Sequence, residues 1–401
     1  MNKTLALAFM LLLVVLGQSS IAIYLPSLPY MAQHFSVDKS WIQMTVSAYL
    51  FGFGFSQLIY GPLSDYFGRR PILLLGLLVF LLASIACALA PSIEFLLSFR
   101  LIQGLGAGAA SVIARALMRD FFEGRELSQA ASYLSMGWAL VPIIAPVVGG
   151  YLQSYFSWQA SFIFLILLAS MLIFFAIFRL IETNRTRKSN AMNMRSASQN
   201  YFFLLVHKIF ISNIACIVIV FSIFVVFNIA GPFLLETQLG LSPIAYGWML
   251  VIISSGYLIG TNINNRIVRR WEPRKVTLGG ICFMVFSSSF MLIAVILGFF
   301  SITIIVLPMF LIFLSLGFIF ANCITACLSP FPHMAGSASA LYGFLVFLGG
   351  GLLSTAFTRF SGETPLPLAV FLTLASVVMW FIFYLTGRRF GYSVPEGKLK
   401  S

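Results

Sequence analysis

Charge is scarce in this chain: Asp, Glu, Lys and Arg make up 9% of 401 residues, and only 11 residues are acidic. With 60% of the residues hydrophobic, no single soluble core has room for so much apolar surface, which argues against a soluble globular domain. Histidine is rarer still, and His34, His207 and His333 all fall in predicted loops or at span ends. No G-x-x-x-x-G-K-[ST] loop occurs either, so nothing points to a catalytic constellation, a metal, a cofactor or ATP-driven work. The chain is not read as an enzyme. The five cysteines, Cys87, Cys216, Cys282, Cys323 and Cys327, are odd in number and lie inside apolar runs, which suits small apolar fillers rather than disulfides or metal ligands. The alternating segments of about ten residues that build a membrane barrel are missing.

What is present is a series of apolar runs, each near the roughly 20 residues a spanning helix needs. They lie near 4–25, 41–62, 72–90, 95–118, 128–151, 159–181, 209–233, 244–267, 275–299, 302–327, 336–360 and 365–386. The reading is an all-α membrane protein of twelve transmembrane helices. The N-terminal run resembles a secretory signal peptide up to Ala22, but it continues to Leu25 and is kept as the first span. A net charge of +13 suggests nucleic acid until the basic residues are placed. With a cytoplasmic N-terminus, all but Lys39, Arg100 and Arg359 fall on one side, so the positive-inside rule accounts for them and puts both termini in the cytoplasm.

Residues 182–208 form a polar, basic stretch that separates six spans from six. The predicted organisation is a six-helix half at 1–181, a cytoplasmic linker at 182–208, a second six-helix half at 209–386 and a cytoplasmic tail at 387–401. Parallel halves of this kind are a common plan among transporters. A faded repeat supports it: the loop 61–73 (GPLSDYFGRRPIL) returns as Gly260 to Arg270, with Asn264 standing where Asp65 stands.

The loop 61–73, with Gly61, Asp65, Gly68, Arg69 and Arg70, resembles the loop between spans 2 and 3 of the major facilitator superfamily. In span 4, Arg100, Gln103, Gly104 and Gly106 resemble that superfamily's R-x-x-Q-G-x-G. In span 5, Pro142, Pro146, Gly149 and Gly150 look like the antiporter signature G-P-x-x-G-G, with Ala145 replacing its first glycine. Together with Tyr24-Leu25-Pro26-Ser27-Leu28-Pro29, these segments resemble the twelve-span drug:proton antiporter branch, in its bicyclomycin-resistance and EmrD-type group.

The resemblance implies the major facilitator fold, a conformational gate at Gly61, Asp65, Gly68, Arg69 and Arg70, and a polar network at Arg100, Gln103 and Gly104. A guanidinium this deep in a span costs at least about 2.5 kcal/mol, so Arg100 either faces the bundle interior or snorkels to the outer surface. The resemblance also implies a cavity between the halves, with Gln18, Tyr24, Tyr49, Phe53, Trp138, Asn228, Tyr257, Asn322 and Tyr342 as candidate lining residues.

One departure matters. Many proton-coupled relatives carry an acid in span 1 or span 7, where this chain has Ala22 and Asn228. Proton coupling is therefore assigned to a carboxylate at a membrane edge, Glu236 or Asp65; coupling through Arg100 and uncoupled transport remain open. A cavity without fixed negative charge suits lipophilic neutral or weakly charged compounds better than dications. The expected function is multidrug efflux by alternating access from the cell inner membrane, as a monomer, with small molecules, protons and the bilayer as partners and no nucleic acid. The alternatives are an exporter of one metabolite or siderophore, a passive channel, or a membrane scaffold.

Overall fold

The computed structural model describes residues 2–184, 194–360, 362 and 364–389. The first bundle contains α1 (Lys3–Ala22), α2 (Leu28–Phe35), α3 (Lys39–Phe67), α4 (Arg69–Ala88), α5 (Ile93–Phe121), α6 (Gly124–Tyr155) and α7 (Trp158–Phe178). A short helix, α8 (Met194–Val206), precedes the second bundle: α9 (Lys208–Pro232), α10 (Pro243–Ile267), α11 (Pro273–Ile296), α12 (Ile302–Leu328), α13 (Ala335–Thr358) and α14 (Leu366–Arg389). Within the first bundle, α5 packs on α1, α3 and α4; within the second, α12 packs on α9, α10 and α11. The bundles meet along α3 with α13 and α6 with α10.

Among the described residues, eleven helical segments are long and apolar enough to cross a membrane. The twelfth span is α3, which has the length, at 29 residues, but carries Ser, Gln, Tyr and Gly along its course. Its position explains this: it is wedged between α4, α5 and α13, so its polar side chains Gln43, Ser47, Ser56 and Gln57 are buried against protein. On α7, α11 and α14, Leu167, Phe174, Phe286, Ile293 and Leu374 point outward and are exposed. Such a belt is stable only against hydrocarbon, and helices are one of two structures that satisfy every backbone group there. The chain is a multi-span membrane protein with the all-helical fold expected of it.

Locally, the helix ends differ from the ends of the apolar runs. Gly231-Pro232, a pair that ordinarily ends a helix, does not break α9: the chain stays helical through Pro232 and continues as a π-helical turn, Phe233–Gln238. Proline at this point removes a donor and the wider turn absorbs the mismatch. The first apolar run, 4–25, is likewise not the end of the helical path, because a 3₁₀ turn at Leu25–Ser27 leads directly into α2. At the start of the linker, Glu182, Thr183 and Asn184 are hydrogen-bonded to the first bundle. Its part at 185–193 and the tail beyond Arg389 lie outside the described residues.

Candidate functional site

The inner site is built on α5. Gly104 faces α3 where a Cβ would overlap the Tyr49 carbonyl, and Gly52 of α3 faces α5 where a Cβ would overlap the Leu101 carbonyl. This mutual absence of side chains lets the backbones touch and brings Tyr49 beside Arg100. Arg100 is 0% exposed, so it does not snorkel. Its guanidinium carbon lies 4.4 Å from the Tyr24 ring centroid and 4.5 Å from that of Tyr49, sandwiched between two π faces. It donates from Nη1 to Gln103 Oε1 and from Nη2 to the Ser20 carbonyl at 3.1 Å. Gln103 in turn donates to Ser84 Oγ at 2.7 Å, and Tyr49 donates to the Gly17 carbonyl at 2.9 Å. The network thereby ties α1, α3, α4 and α5 together.

Tyr24, Tyr49 and Phe53 are thus not open to a cavity in this conformer. All are fully buried, with Tyr24 and Tyr49 against Arg100 and Phe53 against Phe347 of the other bundle, ring centroids 4.5 Å apart. Gln18 and Asn228 are buried, and Asn228 donates to the Phe224 carbonyl of its own helix. Trp138, Tyr257, Asn322 and Tyr342 are partly exposed. Asn322 exchanges side-chain hydrogen bonds with Asn264, the residue in the repeat position of Asp65, at 3.0 and 3.3 Å. With the acid gone, an amide pair fills the equivalent place in the second bundle.

At one end of the bundle the predicted loop 61–73 is helical except at Gly68: Asp65, on the last turn of α3, pairs with Arg69, the first residue of α4, at 2.5 Å, and not with Arg115 or Arg119. Arg69 also donates to Ser64 Oγ at 2.6 Å and lies 3.4 Å from Asp120. Arg70 donates to the Ile177 carbonyl at 2.6 Å. Glu182, which the sequence did not single out, organises the loop. Its carboxylate accepts from the Arg69 and Arg70 backbone N–H groups at 2.9 and 3.1 Å, capping α4 from another helix's end. Gly68 takes φ 108°, and a Cβ there would press on the Glu182 carboxylate. Gly61 has nothing within 4 Å of where its Cβ would lie.

At the opposite end the two bundles are joined. Lys39 donates to the Gly362 carbonyl at 2.6 Å, Gln43 to the Ile229 carbonyl at 2.9 Å, and Ser47 and Ser354 share a 2.8 Å hydrogen bond. Gly149 and Gly150 of α6 press on the carbonyls of Ile23 and Pro243, and Pro146 meets Gly247; Pro142 lies one turn back along α6. Glu236 sits in this closed end, on the π turn, which touches both α2 and α10. It is 7% exposed, and neither carboxylate oxygen has a hydrogen-bond partner. The Tyr246 hydroxyl, within electrostatic range of it, is also unpartnered.

Residues 7–354 match the sequence profile of the Major Facilitator Superfamily. The chain belongs to the major facilitator superfamily. It is 31% identical over 399 residues to an uncharacterized MFS-type transporter, YdgK, of Bacillus subtilis (strain 168), covering 97% of this chain and 98% of that protein. To multidrug resistance protein D of Escherichia coli (strain K12) it is 30% identical over 357 residues, 87% of each. Among solved structures it shares the fold of a D-xylose-proton symporter, with TM-score 0.76, 15% identity and coverage of 94% and 98%. As a superfamily member it acts on small molecules as a membrane transporter, and this family indicates no catalytic activity.

Proposed function

We propose that this protein is a proton-driven multidrug exporter that moves lipophilic compounds by alternating access. Similarity to multidrug resistance protein D over most of both chains supports the cargo class. The two bundles, residues 1–181 and 209–386, rock about their shared seam, with 182–208 as their tether. On the positive-inside reading the Asp65 end and both termini are cytoplasmic, and the joined end faces outward from the inner membrane. One chain supplies both halves, so a monomer suffices.

The observation that carries the reading is Glu236, a carboxylate enclosed at the joined seam with both oxygens unpartnered. Burying an unpaired carboxylate costs several kcal/mol unless it takes a proton. Closure of that end is therefore coupled to protonation of Glu236, and reopening returns the group to water. The test is transport of a labelled lipophilic drug in proteoliposomes, with and without a pH difference. Glu236→Gln is expected to lose pH-driven accumulation while keeping drug binding and drug exchange at equal pH. Accumulation by this variant under a pH difference alone would remove Glu236 from the coupling step.

A further inference from the structure

Two arginines lie along α5, and their surroundings differ. Arg100 is enclosed and sandwiched between rings. Arg115, about four turns nearer the Asp65 end, is partly exposed and forms no ion pair among the described residues. It donates from Nη2 to Gln57 Oε1 at 2.6 Å and from Nη1 to Ser111 Oγ at 3.4 Å. A guanidinium carries five N–H donors, so the rest have no protein acceptor among the described residues.

The position of this cation is informative. Gln57 lies against α13 of the other bundle, its Oε1 3.3 Å from where a Gly343 Cβ would be. Tyr342, the preceding residue, is within electrostatic range of Arg115. Arg115 therefore stands on the seam between the bundles. Contact between α3 and α13 runs from Ser47 and Ser354 through Gly54 and Phe347 to Gln57 and Gly343. Beyond it, the Cβ positions of Gly61 and Gly336 meet nothing within 4 Å. The cation stands beside the last of these contacts.

A half-buried cation whose remaining donors have no acceptor is stabilised when an opposite charge meets it. Nearby charge gives no relief, because Arg119 is also positive and Asp120 is engaged with Arg69. We propose that Arg115, with Gln57, Ser111 and Tyr342, is a recognition site for the acidic group of a lipophilic anion, such as an aryl carboxylate or sulfonate. The planar guanidinium matches a carboxylate with two parallel donors, Gln57 and Tyr342 offer neutral polar contacts, and a lipophilic cation is repelled. This rests on the export reading and narrows its cargo.

The test is equilibrium dialysis of the purified full chain in neutral detergent, against protein-free detergent. The probes are 2-naphthoate, 2-naphthamide and 2-naphthylmethylammonium, which share one aromatic body and differ in charge. Naphthoate is expected to bind at least about tenfold more tightly than the ammonium compound. Arg115→Gln should lower naphthoate affinity roughly tenfold and change naphthamide binding by less than about twofold, while Arg115→Lys keeps the order. Equal wild-type affinity for the anion and the cation overturns the proposal, and so does an Arg115→Gln protein that keeps the anion preference. The wild-type comparison stands even if that variant fails to fold. Drug export by the same preparation in proteoliposomes separates the two levels. If no compound is exported, the export reading fails; export of a neutral drug without anion preference in binding overturns the anion site alone.

Discussion

Arg100→Lys keeps the charge and removes the shape, which makes it the sharpest test of the inner network. The guanidinium is held between two rings at 4.4 and 4.5 Å and bonds to Gln103 and the Ser20 carbonyl. An ammonium is a compact point charge that cannot lie flat between both rings and reach both acceptors. Losing one π face costs about 0.5–2 kcal/mol, and losing one hydrogen bond from a charged donor costs about 1.5–3 kcal/mol. The deficit, about 2–5 kcal/mol, matches the few kcal/mol that separate the conformers of a switching protein. Since about 1.4 kcal/mol is a factor of ten, export should fall at least about tenfold, nearly as far as in Arg100→Ala. The assay is drug uptake into inverted membrane vesicles, normalised to the amount of monodisperse protein. Full export by the lysine variant would show that charge alone suffices and that the sandwich is dispensable.

Asp65→Asn should abolish export yet shift stability by less than about 1 kcal/mol, because the Asp65 side chain is 47% exposed and its pair with Arg69 is screened by water; normal export by the well-expressed variant would dismiss a gating role. Glu182→Gln should cost about 1 kcal/mol by weakening the cap on α4, seen as a lower unfolding midpoint in detergent with drug affinity unchanged, and an unchanged midpoint would contradict the cap. Gly104→Ala places a methyl against the Tyr49 carbonyl, so it should destabilise by about 1–3 kcal/mol and also reduce export, since the Arg100 sandwich depends on that approach; wild-type stability would mean that α3 and α5 yield freely.

The sequence by itself determined the class and the spans. Lipid leaves no solvent for an exposed backbone, so each crossing must be a helix long enough to cross, and its apolar run is visible without coordinates. It also announced the Arg100 and Gln103 pair, because residues three apart share a helix face. Which rings hold Arg100 was a tertiary decision: Tyr24, Tyr49 and Phe162 come from α3, α7 and the turn after α1, and no local pattern links them. Glu182 was illegible for the same reason, since its acceptors' donors lie more than a hundred positions earlier in the chain. The loop signature placed Asp65 among basic residues, but only the fold chose Arg69 over Arg115, leaving Arg115 without an acid. Glu236 read as a carboxylate at a membrane edge because Gly231-Pro232 ordinarily ends a helix. Packing of α2 and α10 around the π turn is what buried it, and burial depends on neighbours that the local sequence does not name.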